Sequence, residues 1–402
     1  MKRRRVKITG IGPVTPAGIG REAFWNGILE PVSRVRPFTK LGPEYGEFVA
    51  AYLDRFQIAD FIPARIIPKG AARHTLFALA GTILALDDAK LSTDLLNKSR
   101  TVVFAGSSLM DFEGIGKTIE AVKDRGLRAA MPRTVYTTNA AVIPATIIQS
   151  LGLRAQSMAI QTSCCAGMDA IGQAARLIAN GEAEIAICGG TEAPLFRCPL
   201  VELRAAGLTP STIANAPNLD RPFDLWRTTG VVSEGSCMLI LEPEESPRTG
   251  YSYISGYSFA NDINGTLCSG MTLAMTHAIA DAKLRPSAID SLNAWGPGHG
   301  LTDAAEASAI HTVFRENAYE IPAYSIKGSI GNPLGAAPAI QIAVTALSQK
   351  HSILPPTVNW DYADPSCQLN LSNRSRAVNI STTLVNAHGL SGVNASVVMQ
   401  RC

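Results

Sequence analysis

The chain contains 402 residues, of which 46% are hydrophobic, 17% are charged and 34 are glycine. This composition excludes an intrinsically disordered chain and predicts a folded protein with a large buried core. The formal net charge of +3 is too small to indicate nucleic-acid binding, but it permits an acidic protein partner on a local basic patch.

Neither a membrane segment nor a metal site is predicted. The longest apolar stretch, residues 75–86, is too short to cross a bilayer and has helical periodicity. The basic N-terminus, MKRRRVKITG, is not followed by the apolar segment of a signal peptide, so we expect a cytoplasmic protein. The eight cysteines show no zinc-ligand spacing, and a reducing compartment disfavours disulfides.

The N-terminal half alternates short β-branched runs with helical stretches. In chain order these are RVKITGIG and REAFWNGIL, then RTVVFAG and a long helical region, then SMAIQTS and GMDAIGQAARLIANG, and finally EIAICGG. Such alternation is typical of a parallel sheet with crossover helices.

The C-terminal half repeats this alternation more loosely, from YISGYSFA through two helical stretches to the strand-like NASVVMQR. No low-complexity linker separates the halves. We therefore predict two closely packed α/β halves, residues 1–250 and 251–402, with the boundary after LEPEESPRTG.

Two adjacent cysteines, Cys164 and Cys165, lie where a predicted strand gives way to a predicted helix, in QTSCCAGMDAIG. Unpaired N–H groups at a helix N-terminus favour a thiolate and can also bind the oxyanion of a tetrahedral intermediate. A cysteine there suits acyl transfer between thioesters, although a buried structural cysteine is the commoner explanation of this pattern taken alone. Adjacent side chains point in different directions, so one thiol can face a cavity while the other packs in the core.

The motifs resemble those of the type II β-ketoacyl-acyl-carrier-protein synthases, which have the thiolase fold. The matching segments, in order, are VKITGIGPVTPAGIGREAFWNGIL, QTSCCAGMDAIGQAARLI, GEAEIAICGGTEA, DRPFDLWRTTGVVSEGSCMLILE and HGLSGVNASVV. The resemblance implies an α/β fold whose duplicated halves form five layers, α-β-α-β-α. It also implies that Cys164 is the nucleophile and Cys165 a packing residue.

Substrates and partners follow from the same resemblance. It implies a substrate carried on the phosphopantetheine arm of an acyl carrier protein, with no cofactor bound by the chain itself. It further implies a homodimer, or a heterodimer with another ketosynthase-like subunit.

The sequence departs from the family at two histidines that act on malonyl thioesters. Ungapped alignment of LNAWGPGHGLTDAAE places Trp295 at the first histidine, and SIKGSIGNPLGAA places Asn332 at the second while keeping Lys327. Pro297 and His299 fall at two threonines that contact pantetheine in the family. An indole can donate a hydrogen bond but cannot accept a proton, so decarboxylative elongation is placed in doubt.

The candidate catalytic residues are therefore Cys164, Asn332, His299, Lys327 and Glu306. We expect Asn332 to donate a hydrogen bond from its amide, and Lys327 to form a structural ion pair with Glu306. His299 reaches the active site only if its loop follows a different path; otherwise it lies along the pantetheine tunnel or bonds locally.

The backbone N–H groups of Cys164 and Leu390 are the expected oxyanion hole, and the acyl pocket is expected to include Trp295, Gly230, Leu390 and His388. Gly230 and Leu390 replace phenylalanines of the family, which predicts space for a bulky or rigid acyl group, partly refilled by Trp295. His388 either lines the site or packs structurally.

Three functions remain open at this point. The loss of both histidines favours an acyltransferase that loads Cys164 and passes the acyl group on, or cyclises it, in specialised polyketide or fatty-acid-derived metabolism. The first alternative is decarboxylative condensation with a malonyl carrier through a Cys-His-Asn set. The second is an inactive partner subunit similar to a chain-length factor.

Overall fold

The computed structural model describes residues 3–402. Ten strands form one continuous mixed sheet, and a short strand at Gly18–Ile19 pairs with the first of them. The strands of the first half are β1 (Val6–Thr15), β2 (Thr101–Gly106), β3 (Ala155–Ile160), β4 (Ile185–Glu192) and β5 (Gly235–Pro243). Those of the second half are β6 (Ser252–Asn261), β7 (Ser291–Asn293), β8 (Ala323–Tyr324), β9 (Thr382–His388) and β10 (Val393–Arg401).

Twelve α-helices accompany the sheet within residues 3–402. They are α1 (Arg21–Leu29), α2 (Arg73–Asp88), α3 (Thr93–Lys98), α4 (Phe112–Arg125), α5 (Thr134–Thr137), α6 (Val142–Leu151), α7 (Ala166–Ala179), α8 (Arg197–Ala205), α9 (Ser269–Asp281), α10 (Gly300–Phe314), α11 (Lys327–Ile330) and α12 (Ala337–His351). Two short antiparallel pairs lie outside the main sheet, Arg36–Phe38 with Phe48–Ala50 and Ile353–Leu354 with Arg376–Ala377.

The two halves have the same strand order. Across the first half the order is β1-β5-β4-β2-β3, and across the second it is β6-β10-β9-β7-β8. A single antiparallel residue pair, Lys7 with Tyr253, joins β1 to β6 at the centre. The predicted boundary at residue 250 falls in the connection between β5 and β6.

The sheet is mixed, not parallel as the alternation of strands and helices predicts. Strand β2 runs parallel to β3 and β4, but β5 runs antiparallel to both β4 and β1. The second half repeats this, with β10 antiparallel to β9 and β6. A fully buried strand has the same apolar pattern in either direction, so the sequence pattern does not reveal its direction.

The helices complete a layered arrangement around the sheet halves. Helices α7 and α12 pack against each other and against strands of both halves, so they form the central layer. Helix α2 covers the outer face of the first half and α9 that of the second, with α10 packed on α9. Nearly every residue of α12 is buried, which explains why its sequence lacks a polar face.

Among residues 3–402, no helix combines the length and the hydropathy needed to cross a membrane.

Candidate active site

Cys164 lies in a tight turn before the central helix α7. Strand β3 ends at Ile160, a 3₁₀ turn spans Ser163–Cys165, and α7 begins at Ala166. Ser163 has a φ of +52°, which is uncommon for a residue with a side chain and is characteristic of sharply constrained turns. The strand-to-helix turn thus presents Cys164 at the N-terminus of a buried helix.

The thiol of Cys164 is buried, and this changes its protonation. Burial raises the pKa of the Cys164 thiol to about 11, and the nearby Glu192 carboxylate adds to the rise. The nearby Ser163 hydroxyl and Leu390 backbone N–H favour the thiolate and oppose this shift. Removal from water thus opposes the thiolate that the helix N-terminus was expected to favour.

Glu192, which the sequence analysis missed, ends strand β4 behind the nucleophile. Its carboxylate accepts hydrogen bonds from the backbone N–H groups of Ser108 at 2.8 Å and Gly335 at 3.2 Å. Burial raises the pKa of Glu192 to about 7. A lone acidic residue at the end of an apolar strand, in ICGGTEA, was the signal that could have identified it.

One cavity brings together most of the predicted site. It has about 520 Å³ of empty space, part of it open to solvent. Its walls include Cys164, Gly230, Trp295, His299, Asn332, His388 and Leu390. Of the residues that the sequence analysis selected, Lys327 and Glu306 are absent from the lining.

Lys327 and Glu306 instead hold the loop that carries Trp295. Glu306 accepts hydrogen bonds from the backbone N–H groups of Trp295 and Gly296, each at 2.8 Å. The Lys327 ammonium donates to the Trp295 carbonyl and lies 3.7 Å from the centre of the indole ring. Glu306 and Lys327 therefore both bond to the backbone of Trp295. They do not form the direct ion pair that was expected from the sequence.

Burial shifts the pKa values of this pair in opposite directions. It raises the pKa of Glu306 and lowers the pKa of Lys327 to about 7. Both shifts favour the neutral forms, as expected for groups removed from water.

Asn332 combines a local structural bond with a free donor. Its Oδ1 accepts the backbone N–H of Leu334 at 3.2 Å, and its own backbone N–H donates to Val231 at 2.7 Å. The Asn332 Nδ2 group makes no hydrogen bond to any of residues 3–402. It is available to a ligand in the cavity.

His299 reaches the cavity and also caps α10. Its Nδ1 accepts a long hydrogen bond of 3.5 Å from the backbone N–H of Thr302. In the neutral ring this places the proton on Nε2, which can then donate. Burial lowers the pKa of His299, and the charge of Arg227 lowers it further.

The pocket is narrower at Gly230 than expected. A Cβ at Gly230 would lie 2.3 Å from the Pro297 carbonyl oxygen, so this loop fills the space of the missing ring. At the other replaced phenylalanine, Leu390 is 61% exposed and stands at the cavity rim. The expectation that both replacements open space is therefore wrong at Gly230.

The family model "Beta-ketoacyl synthase, N-terminal domain" matches residues 3–246, and "Beta-ketoacyl synthase, C-terminal domain" matches residues 251–361. The chain belongs to the beta-ketoacyl synthase family.

Full-length relatives support this membership. This family member is 30% identical over 420 residues to the 3-oxoacyl-[acyl-carrier-protein] synthase 2 of Coxiella burnetii, covering 100% of the chain and 99% of the relative. It is 29% identical over 413 residues to the putative polyketide beta-ketoacyl synthase 1 of Streptomyces cyaneus, covering 98% of each.

Solved structures confirm the predicted thiolase-like fold. The ishigamide ketosynthase/chain length factor superposes with a TM-score of 0.92 at 26% identity, covering 100% of both chains. A type II polyketide synthase acyl-carrier protein in complex with its ketosynthase bound to the hexaketide gives a TM-score of 0.91 at 27% identity, again covering 100% of both chains.

Substitution of Gly230 tests the narrow wall of the cavity. We expect Gly230→Ala to lower the free energy of unfolding by about 1–3 kcal/mol, since its Cβ would overlap a backbone oxygen. The matched control is Gly300→Ala, whose Cβ has open space within 4 Å. Urea unfolding of both variants checks this, and equal stability of the two would contradict the assigned loop position.

A buried carboxyl beside the site predicts a pH effect on stability. Asp303 accepts the Phe223 backbone N–H at 2.7 Å, and burial raises the pKa of Asp303 from 3.8 to about 7. Because the folded state binds this proton more tightly, the stabilisation is complete below pH 3.8 and disappears as the pH rises through about 7. We expect the Tm of the unmodified protein to fall over this range relative to that of Asp303→Asn. Thermal unfolding at several pH values measures the difference, and parallel curves would contradict it.

Proposed function

We propose that this chain is a β-ketoacyl synthase that loads an acyl group onto Cys164 from an acyl-carrier-protein thioester and condenses it with a malonyl-derived unit. The observation that carries the proposal is that Cys164 and Asn332 line one cavity, where the Asn332 amide has a free donor. The proposal takes the pathway class, fatty-acid or polyketide synthesis, from the names of the relatives.

In the loading step the Cys164 sulfur attacks the acyl thioester carbonyl. The new carbon–sulfur bond forms as negative charge moves onto the carbonyl oxygen. The backbone N–H groups of Cys164 and Leu390 are proposed to stabilise that oxygen, as predicted from the sequence. Collapse of the tetrahedral intermediate releases the carrier's thiol and leaves acyl-Cys164.

In the condensing step a malonyl thioester loses carbon dioxide, and its carbonyl oxygen becomes an enolate oxygen. Two residues of the cavity lining are proposed to donate to this oxygen, Asn332 through Nδ2 and His299 through Nε2. The resulting carbanion attacks the acyl-Cys164 carbonyl and displaces the Cys164 thiolate. Together with Cys164, His299 and Asn332 form the proposed Cys-His-Asn set, which was the first alternative predicted from the sequence.

Transfer without extension is the second candidate function. It is favoured by Trp295. This residue aligns with a histidine that acts in decarboxylation in the family, and its indole cannot accept a proton. In that case the acyl group leaves Cys164 for a hydroxyl, an amine or an internal carbon.

Partner proteins are proposed from the relatives and from the edge of the sheet. One similar structure contains a ketosynthase and a chain length factor, and another contains an acyl-carrier protein. Here β3 is the free edge of the first half, and Gln156, Ser157 and Met158 are exposed on it. We propose that a second ketosynthase-like subunit, identical or different, covers this edge, since an open edge strand invites further pairing.

Intact-protein mass spectrometry tests the function. The protein is mixed with acyl-loaded carrier protein, with and without malonyl-loaded carrier protein. A product extended by a malonyl-derived unit supports condensation. An acyl mass on Cys164 without extended product supports the second candidate. Absence of any acyl mass contradicts both and supports the inactive partner subunit.

A further inference from the structure

His388 is held in a defined orientation at the end of β9. It pairs with Asn394 across the β9–β10 ladder, and its Nδ1 lies 2.9 Å from Asn394 Oδ1. His388 is buried, and the six-residue spacing to Asn394 results from the tight β9–β10 connection. The imidazole is therefore fixed by one specific side-chain bond.

The surrounding hydrogen bonds determine which nitrogen carries the proton. Asn394 donates both amide hydrogens, to Asp262 Oδ1 at 2.7 Å and to the Gly392 carbonyl at 3.1 Å. Asp262 also accepts the Gly270 backbone N–H at 2.9 Å, which fixes the carboxylate. Asn394 Oδ1 is thus an acceptor, so the neutral His388 ring carries its proton on Nδ1 and a lone pair on Nε2.

The chain that carries His388 runs against the nucleophile. Gly389 packs so closely on the turn that a Cβ there would lie 2.8 Å from Ser163 Cβ and 3.2 Å from the Cys164 nitrogen. The next residue, Leu390, lines the same cavity as Cys164, and its N–H lowers the pKa of the thiol. His388 and Cys164 line the same cavity, and Nε2 of His388 makes no hydrogen bond to any of residues 3–402.

We propose that His388 is the proton acceptor for Cys164 and that Asn394 positions it, forming a Cys164–His388–Asn394 relay. This inference rests on the proposed function, because it assigns the proton transfer in the loading step. The group that receives the proton must be near the thiol, and His388 is the cavity residue whose ring nitrogen is free to accept.

The proton balance of the step is complete without any added reactant. The Cys164 S–H proton moves to Nε2 of His388 as the sulfur bonds to the acyl carbon. When the tetrahedral intermediate collapses, the carbon–sulfur bond to the carrier breaks and Nε2 returns the proton to the departing thiolate. The products are acyl-Cys164, the free carrier thiol and neutral His388.

The other candidate residues that line the cavity are unsuited to this role. Trp295 and Asn332 have no basic nitrogen, and Nδ1 of His299 is occupied as the cap of α10. Lys327 donates to the Trp295 carbonyl outside the cavity lining. A buried thiol with a pKa raised to about 11 needs such an acceptor to react near neutral pH.

Alkylation by iodoacetamide near neutral pH tests the relay without requiring acyl transfer. Peptide mass spectrometry follows Cys164, and the exposed Cys198 in the same sample is the internal reference. We expect His388→Ala and His388→Gln to slow Cys164 alkylation by about 10²-fold, with Cys198 unchanged. The control is His277→Ala, which removes an exposed histidine on α9 and should leave both rates unchanged.

Added imidazole should restore part of the Cys164 rate in His388→Ala. If that variant does not fold, His388→Gln alone decides, because glutamine keeps much of the bulk but accepts no proton. Asn394→Ala should slow Cys164 alkylation in the otherwise unmodified protein and have no further effect when combined with His388→Gln. If Asn394 had a purely structural role, its substitution would slow alkylation in both backgrounds.

A Cys164 rate in folded His388→Gln within about twofold of the unmodified protein overturns the relay. That result is separate from failure of the proposed function. A protein that forms no acyl adduct, yet whose Cys164 alkylation still depends on His388, retains the relay and loses the proposed acyl transfer.

Discussion

Cys164→Ala is expected to abolish the acyl adduct and to lower the rate of acyl transfer by at least about 10⁴-fold, because it removes the sulfur on which the proposed covalent intermediate forms. Intact-protein mass spectrometry after incubation with acyl-loaded carrier protein measures the adduct, and product analysis measures the rate.

Cys165→Ala is the matched control for that experiment. The Cys165 thiol is fully buried and lies 3.4 Å from the Val393 carbonyl, to which it donates. Its removal should cost about 1 kcal/mol of stability and leave the adduct intact. Persistence of the adduct in Cys164→Ala, or its loss in folded Cys165→Ala, would contradict the assignment of Cys164 as nucleophile.

Glu306→Ala is expected to lower the free energy of unfolding by about 3 kcal/mol or more, because it leaves the buried N–H groups of Trp295 and Gly296 without an acceptor. Lys327 also loses a nearby buried carboxylate. Urea unfolding monitored by circular dichroism measures the change. The same substitution should release the Trp295 loop and reduce acyl-adduct formation.

The control for this prediction is Glu316→Ala, since Glu316 is exposed just beyond α10. Its effect should stay within about 0.5 kcal/mol. Equal stability of the two variants would show that Glu306 does not hold the loop.

Local sequence was sufficient to predict the turn that carries Cys164. An apolar strand, a pair of cysteines and a helical pattern follow one another within twenty residues, and the structure places Cys164 in a turn directly before α7. The thiolase-like fold was also predicted correctly, because several ordered motifs over the whole chain carry the resemblance. Each of these features depends on neighbours in sequence or on motif order.

The direction of strands β5 and β10 and the width of the pocket required the tertiary structure. Considered alone, the absence of a side chain at Gly230 suggests an enlarged pocket. Its space is in fact occupied by the carbonyl of Pro297, which comes from a loop of the other half. Sequence cannot show which distant segment fills a gap.

The sequence by itself placed Cys164 at the start of a helix in a duplicated α/β fold, since local pattern and motif order decide both. Tertiary structure alone decided the chemistry around that thiol. Burial of Cys164 raises its pKa, and the pairing of β9 with β10 joins Asn394 to His388, which lines the same cavity as Cys164. Burial and hydrogen bonding between distant residues are properties of the packed molecule, and they select which of the predicted side chains can hold or move a proton.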